Sequence, residues 1–151
     1  MKNLLNKKTL NKYSRQIVLK DVGIIGQKKI FNSKILVVGA GGLGSPVIDL
    51  LVRAGVGFLG VIEDDKVDYS NLHRQTLYDY NDVGKYKSDV VKKKIKLVNS
   101  KIKLKIFKER ANDKNLSKII PTFDIIVDGT DNFPTKFLLN KYSLKYRKKL
   151  V

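Results

Sequence analysis

The chain has 151 residues, 42% hydrophobic and 30% charged. That suits one soluble-type domain with one core, and excludes a disordered chain or one built around an apolar span of ~20 residues. It has no cysteine, which excludes disulfides, a thiolate nucleophile and a cysteine-held zinc ion. A net charge of +17 raises nucleic-acid binding, but only five of the 31 basic residues are Arg and lysines recur in every expected helix. An AT-rich coding sequence is therefore the favoured source of the charge, and nucleic acid is not an expected partner.

Residues 1–33 read as an N-terminal helical segment. Its start, "MKNLLNKKTLNKYSR", is interrupted by Lys and Asn too often for a secretory leader, so a cytoplasmic location is expected. "KILVVG" (34–39) is a continuous apolar run, as in a strand buried on both faces. "GLGSPVIDLLVRAG" (42–55) carries apolar residues at 43, 47, 48, 50, 51 and 54, a helix closing at Gly55. "FLGVIE" (58–63) is a second strand, and "KSDVVKKKIKLVNS" (87–100) a helix with Val90, Val91, Ile95 and Val98 on one stripe. "IKLKIF" (102–107) alternates apolar with Lys, as a half-exposed edge strand does. "DKNLSKII" (113–120) is a short helix stopped by Pro121, "DIIVDG" (124–129) a fourth strand, and 133–149 a final helix. Alternating strands and helices specify an α/β, Rossmann-like, doubly wound and mainly parallel sheet over 34–151. Right-handed crossovers place all four strand carboxyl ends on one edge.

Gly39, Gly41 and Gly44 form G-x-G-x-x-G, with Gly42 as an extra. The pattern alone also occurs in ordinary turns, but here it follows a buried strand and opens a helix, as a phosphate loop must. Gly39 permits the turn, Gly41 lets backbone approach a phosphate, and Gly44 lets helix and strand pack closely. An acidic residue about 20 positions on should take the ribose hydroxyls; Glu63 stands there, with Asp64 and Asp65 as alternatives. A simple dehydrogenase half would turn back at this point. Instead "EDDKVDYSNLHRQTLY" (63–78), "DVGKYKSD" (82–89) and "DGTDN" (128–132) bring Asp65, Asn71, Arg74, Gln75, Lys87 and Asp131 to strand ends or soon after. Cations with a candidate Mg²⁺ carboxylate suit phosphoryl or nucleotidyl transfer, not hydride transfer.

"YSRQI" (13–17), "GQKKI" (26–30), "VVGAGGLGS" (37–45), "AGVG" (54–57), "SNLHRQ" (70–75), "VGKYK" (83–87) and "DGTDN" resemble, in order and spacing, the ThiF/MoeB/HesA adenylyltransferases, bacterial relatives of ubiquitin-activating enzymes. The resemblance implies ATP with Mg²⁺ as ligands, and a ubiquitin-like sulfur carrier ending in Gly-Gly as the partner to be adenylated. The pathway implied is thiamine or molybdopterin synthesis. It implies that the glycines line the phosphates and that Glu63 stands where the family has an Asp on the ribose, with Asp65 nearby. Asn71, Arg74 and Lys87 then contact the triphosphate, with Gln75 beside them on the nucleotide. Asp131 holds Mg²⁺, and Arg15 reaches the other subunit's site in a homodimer. Each residue also has an ordinary alternative: a surface Arg for Arg15, structural ion pairs for Arg74 and Lys87, a helix N-cap for Asp131. His73, the only histidine, reads as a packing or hydrogen-bonding residue.

The chain departs from the family at "RKKLV". Family members continue there with more strands, a carrier groove and often CxxC pairs that hold zinc; none is expected here. The resemblance thus implies a domain cut at the start of a fifth strand, with the far side of the fourth left bare. A fragment, a chain completed by another polypeptide and a reduced nucleotide-binding module all fit. A non-catalytic binding module and an NAD-dependent oxidoreductase fragment are the alternative functions.

Overall fold

The computed structural model describes residues 6–151; residues 1–5 of the expected N-terminal helical segment lie outside the described residues. Three short helices come first, α1 (Lys7–Lys12), α2 (Ser14–Ile17) and α3 (Gly23–Asn32), and then strand and helix alternate. The order is β1 (Lys34–Val38), α4 (Gly44–Ala54), β2 (Phe58–Ile62), α5 (Lys87–Val98), β3 (Lys103–Phe107), α6 (Asp113–Ile119), β4 (Ile125–Asp128), α7 (Phe133–Lys145) and β5 (Lys149–Leu150). All five strands are parallel, in the order β3-β2-β1-β4-β5. Among the described residues, no helix is long and apolar enough to cross a membrane.

Strand alternation divides the core into two layers. Ile35 and Val37 point to one face, where they join Ile48 and Val52 of α4 and Val91 and Ile95 of α5. Leu36 and Val38 point to the other, with Leu116, Ile119, Phe123, Ile126 and Leu139. Gly60 makes room for the Phe123 ring, since a Cβ there would fall 2.3 Å from it. Phe123 is wholly buried and stacks on Phe58; burying such a ring contributes about 1.5–3 kcal/mol.

The N-terminal helices are tied to the end of α4. Gln16 and the buried Gln27 both donate to the Ala54 carbonyl, at 2.9 and 3.0 Å, and Gln16 also donates to Gln27. Gly55 ends α4 in the left-handed region at φ 92°, and a Cβ there would strike the rings of Phe31 and Tyr13.

Two expectations for the C-terminus are corrected. The last helix stops at Lys145, not 149. Arg147 takes a left-handed φ of 51°, and the Lys148 N–H reaches back to the Ser143 carbonyl, so orphan carbonyls at the helix end are satisfied by a reversal. The freed chain then forms β5, so the far side of β4 is not bare. Ile125 and Ile126 pair with Lys149 and Leu150, and Val151 exchanges bonds with Ile126 and Asp128.

Candidate nucleotide-binding site

β1 ends at Val38, and the chain leaves the sheet through Gly39, in the left-handed region at φ 86°. A Cβ on Gly44 would lie 1.9 Å from the Gly39 carbonyl oxygen, so only glycine lets α4 start this close to the strand. Gly41 and Gly42 are different. A Cβ on either would meet no atom closer than 3.6 Å, and neither has a positive φ. The fold does not require glycine at these two positions; a ligand lying against bare backbone would. Both line a cleft of about 580 Å³ at the carboxyl ends of the strands. The strand order reverses between β1 and β4 there, the switch point where doubly wound sheets take ligands.

The loop is braced at Ala40, which is fully buried. The Ala40 N–H donates to Glu63 Oε2 at 2.7 Å, and the Tyr78 hydroxyl donates to the Ala40 carbonyl at 2.8 Å. The Asp65 N–H donates to the other Glu63 oxygen at 2.9 Å. Glu63, 6% exposed, thus joins the glycine loop to the exit of β2. Each of its oxygens keeps a second lone pair for a ligand. Burial, then the charges of Glu63, Asp65 and Asp82, push the Tyr78 phenol far above its usual range, so it remains a donor.

Asp65 and Lys87 are set in register by a short antiparallel pairing. The Val67 N–H donates to Lys85, Gly84 to Val67 and Lys87 to Asp65, around the Lys66–Tyr86 bridge. The Lys87 ammonium, on a side chain only 7% exposed, then meets Asp65 Oδ2 at 3.3 Å, on a side chain 69% exposed. A buried cation whose partner faces solvent can exchange that partner for a phosphate. Arg74 lies beside Gly42, held through its Nη1 by the Ser70 carbonyl at 2.9 Å. Gln75 is buried, and its Oε1 has no hydrogen-bond partner among the described residues. An orphaned acceptor in a cleft wall can be met by a donor on a ligand or by water.

Asp131 is exposed at the rim of the cleft. The helix cap considered for it belongs to its neighbour: Asn132 accepts from the Thr135 N–H at 3.0 Å. Asp128 is occupied by Thr130 and by Lys136 at 3.2 Å. Among the described residues, Asp131 makes no ion pair or side-chain hydrogen bond on that wall.

The cleft thus gathers Gly39, Gly41, Gly42, Glu63, Asp65, Arg74, Gln75, Lys87 and Asp131. It does not include Gly44, which serves packing, or Asn71, which closes a capping box with Asp68 on the turn before Arg74. Arg15 is exposed on α2, away from its own chain's cleft. His73 is exposed with no hydrogen bond among the described residues, so the packing role is not found. Glu109, Arg110 and Ala111 line the cleft and were not singled out in the sequence. They lie just past the end of β3, after Lys108, and the rule that parallel strands end on one edge points to them.

A glycine loop with open backbone at the switch point of a parallel sheet defines a nucleotide-binding Rossmann-like domain. Within that class the chain belongs to the ThiF family, whose model matches residues 13–151. A sulfur carrier protein adenylyltransferase from Thermus thermophilus is 43% identical over 145 residues, which is 96% of this chain and 54% of that protein. A probable molybdopterin-synthase adenylyltransferase from Gracilaria tenuistipitata is 45% identical over 130 residues, 86% of this chain and 37% of that protein. The solved structure of E. coli MccB with ATP superposes with a TM-score of 0.83 at 32% identity, over 93% of this chain and 44% of MccB. The chain spans about half or less of the length of these relatives.

Proposed function

We propose that the chain is the ATP-binding part of an adenylyltransferase that activates the C-terminal glycine of a ubiquitin-like sulfur carrier ending in Gly-Gly, for thiamine or molybdopterin synthesis. One observation carries the reading: Gly41 and Gly42 have room the fold does not use, in the same cleft as Lys87 and Asp131. The names of the relatives support it, as does the ATP-bound MccB structure.

In this reading the open backbone at Gly41 and Gly42 and the start of α4 hold the phosphates. Glu63, with Asp65 near it, takes the ribose, while Gln75 supplies an acceptor. The carrier carboxylate attacks the α-phosphorus; the bond to the bridging oxygen breaks, and pyrophosphate leaves with the electron pair. Charge grows on the oxygens facing Lys87 and Arg74, and fixed cations favour that state over the ground state. Mg²⁺, when bound, neutralises phosphate oxygens as a Lewis acid, and Asp131 would hold it. Asn71 fixes the turn that presents Arg74. Arg15 acts in trans across a homodimer, in the cytoplasm.

Two measurements test this. Titration calorimetry should show Mg-ATP binding more tightly than NAD; the reverse order overturns the nucleotide assignment. ATP–pyrophosphate exchange should require a sulfur carrier with its terminal glycine. Exchange that ignores removal of that glycine overturns the carrier assignment.

A further inference from the structure

Residues 92–118 hold eleven of the 31 basic residues and only two of the 14 acidic ones. The fold gathers many of them at the free edge of the sheet. Among the described residues β3 pairs only with β2, and its Lys103 and Lys105 are exposed while Leu104 and Ile106 turn inward. Between β3 and α6 lies a second groove, of about 530 Å³, lined by Lys105, Lys114 and Lys118 with Phe107, Asn112 and one carboxylate, Glu109, which accepts from Asn115. Among the described residues, no carboxylate lies within ion-pair distance of Lys103, Lys105, Lys114 or Lys118. Other lysines of the same region do pair, Lys94 with Asp79 and Asp82, and Lys108 with Asp89.

Compositional drift explains many lysines but not their concentration here, where like charges repel. Protection of an edge strand explains Lys103 and Lys105, but not the helix lysines 114 and 118, which line the groove with Lys105. We propose that this groove binds single-stranded nucleic acid through its phosphates, without sequence preference.

The geometry separates this ligand from an acidic peptide. Lys103 and Lys105 share one face of β3 with Phe107. That sets the two lysine Cα atoms about 6.6 Å apart, a step comparable to successive phosphates on an extended strand. Phe107 belongs to the core layer on the α6 side, so the groove lies on the face of the sheet and not along its hydrogen-bonding edge. A peptide adding as a strand would use the edge. The Phe107 ring already carries Lys105 at 5.0 Å, so the face offers lysine point charges, which suit a backbone read only by charge.

The test is fluorescence anisotropy with a labelled oligouridylate at low salt and saturating Mg-ATP, which fills the neighbouring cleft. One variant replaces Lys103, Lys105, Lys114 and Lys118 with Gln. A control replaces Lys7, Lys8, Lys28 and Lys29, equally exposed, and so removes the same charge elsewhere. Circular dichroism confirms that both fold. The proposal expects affinity that falls with salt, a loss of about tenfold or more in the groove variant, and less than about twofold in the control. Equal losses, no binding by the parent chain, or tighter binding of polyglutamate would each overturn it.

Discussion

Glu63 and Tyr78 hold one residue from both sides: the carboxylate accepts from the Ala40 N–H while the phenol donates to the Ala40 carbonyl. This clamp fixes the peptide just before Gly41 and Gly42, so loop shape is set by side chains from β2 and from the turn after Arg74. Tyr78→Phe keeps the ring and removes the donor, leaving a buried carbonyl unpaired at a cost of about 1–3 kcal/mol. The denaturant midpoint should fall with unchanged slope, and Mg-ATP affinity should fall with it. An unchanged midpoint would show that the clamp contributes nothing. Because the phenol stays protonated far above neutral pH, the difference between parent and variant should not change across the neutral range.

Lys87→Met separates chemistry from stability. Asp65, its partner, is largely exposed, so removing the ammonium leaves no buried unpaired charge, and the thermal midpoint should shift by the equivalent of less than about 1 kcal/mol. The rate of ATP–pyrophosphate exchange should drop about 10²–10³-fold, as for other fixed donors aimed at developing charge. A large loss of stability with little loss of rate would assign Lys87 to a structural ion pair instead.

The Asp113–Lys141–Tyr142 group joins α6 to α7 and gives stability a defined pH dependence. Hydrogen bonds from Lys141, then Tyr142, hold the Asp113 carboxyl below its ordinary range, and Asp113 in turn raises Lys141. A carboxyl with a depressed folded value stabilises above its unfolded value of about 3.9, and that contribution is lost as pH falls through the folded value. A raised lysine stabilises below about 10.4 and loses its contribution as pH climbs past the folded value. The gap in thermal midpoint between the parent chain and Asp113→Asn should therefore be constant near neutrality and shrink at both extremes. A gap that widens in acid would contradict the pairing.

The sheet was legible because its strands follow simple rules. β1 and β4 are apolar runs, β3 alternates with Lys, and each is bounded by Gly or polar residues. β5 was not legible, since two residues in "RKKLV" carry no periodicity, and the helix before it ends on Arg147 in a conformation more typical of glycine. The glycine loop and the cations announced themselves by type and spacing. Tyr78 did not, because a lone tyrosine after a polar stretch says nothing about which carbonyl it meets. Arg110 carries no sequence signal beyond being one more basic residue on a basic chain; its place after β3 is what puts it on the cleft. The basic run of residues 92–118 is visible in the sequence; that Lys105, Lys114 and Lys118 line one groove is not, because it depends on the edge position of β3 and the approach of α6.

The glycines allow the last and sharpest separation, between folding and ligand. Gly44→Ala would drive a Cβ to within 1.9 Å of the Gly39 carbonyl oxygen, backbone that cannot yield without moving β1 or α4. It should cost at least about 3 kcal/mol, the upper end of ordinary overpacking. Gly41→Ala meets nothing nearer than Gln75 Nε2 at 3.6 Å and needs no unusual φ, so the thermal midpoint should stay level or rise slightly. Its Mg-ATP affinity should nonetheless fall about tenfold or more, because the methyl takes the space a phosphate would fill. If Gly41→Ala binds Mg-ATP as well as the parent chain, the open backbone is not where phosphate lies.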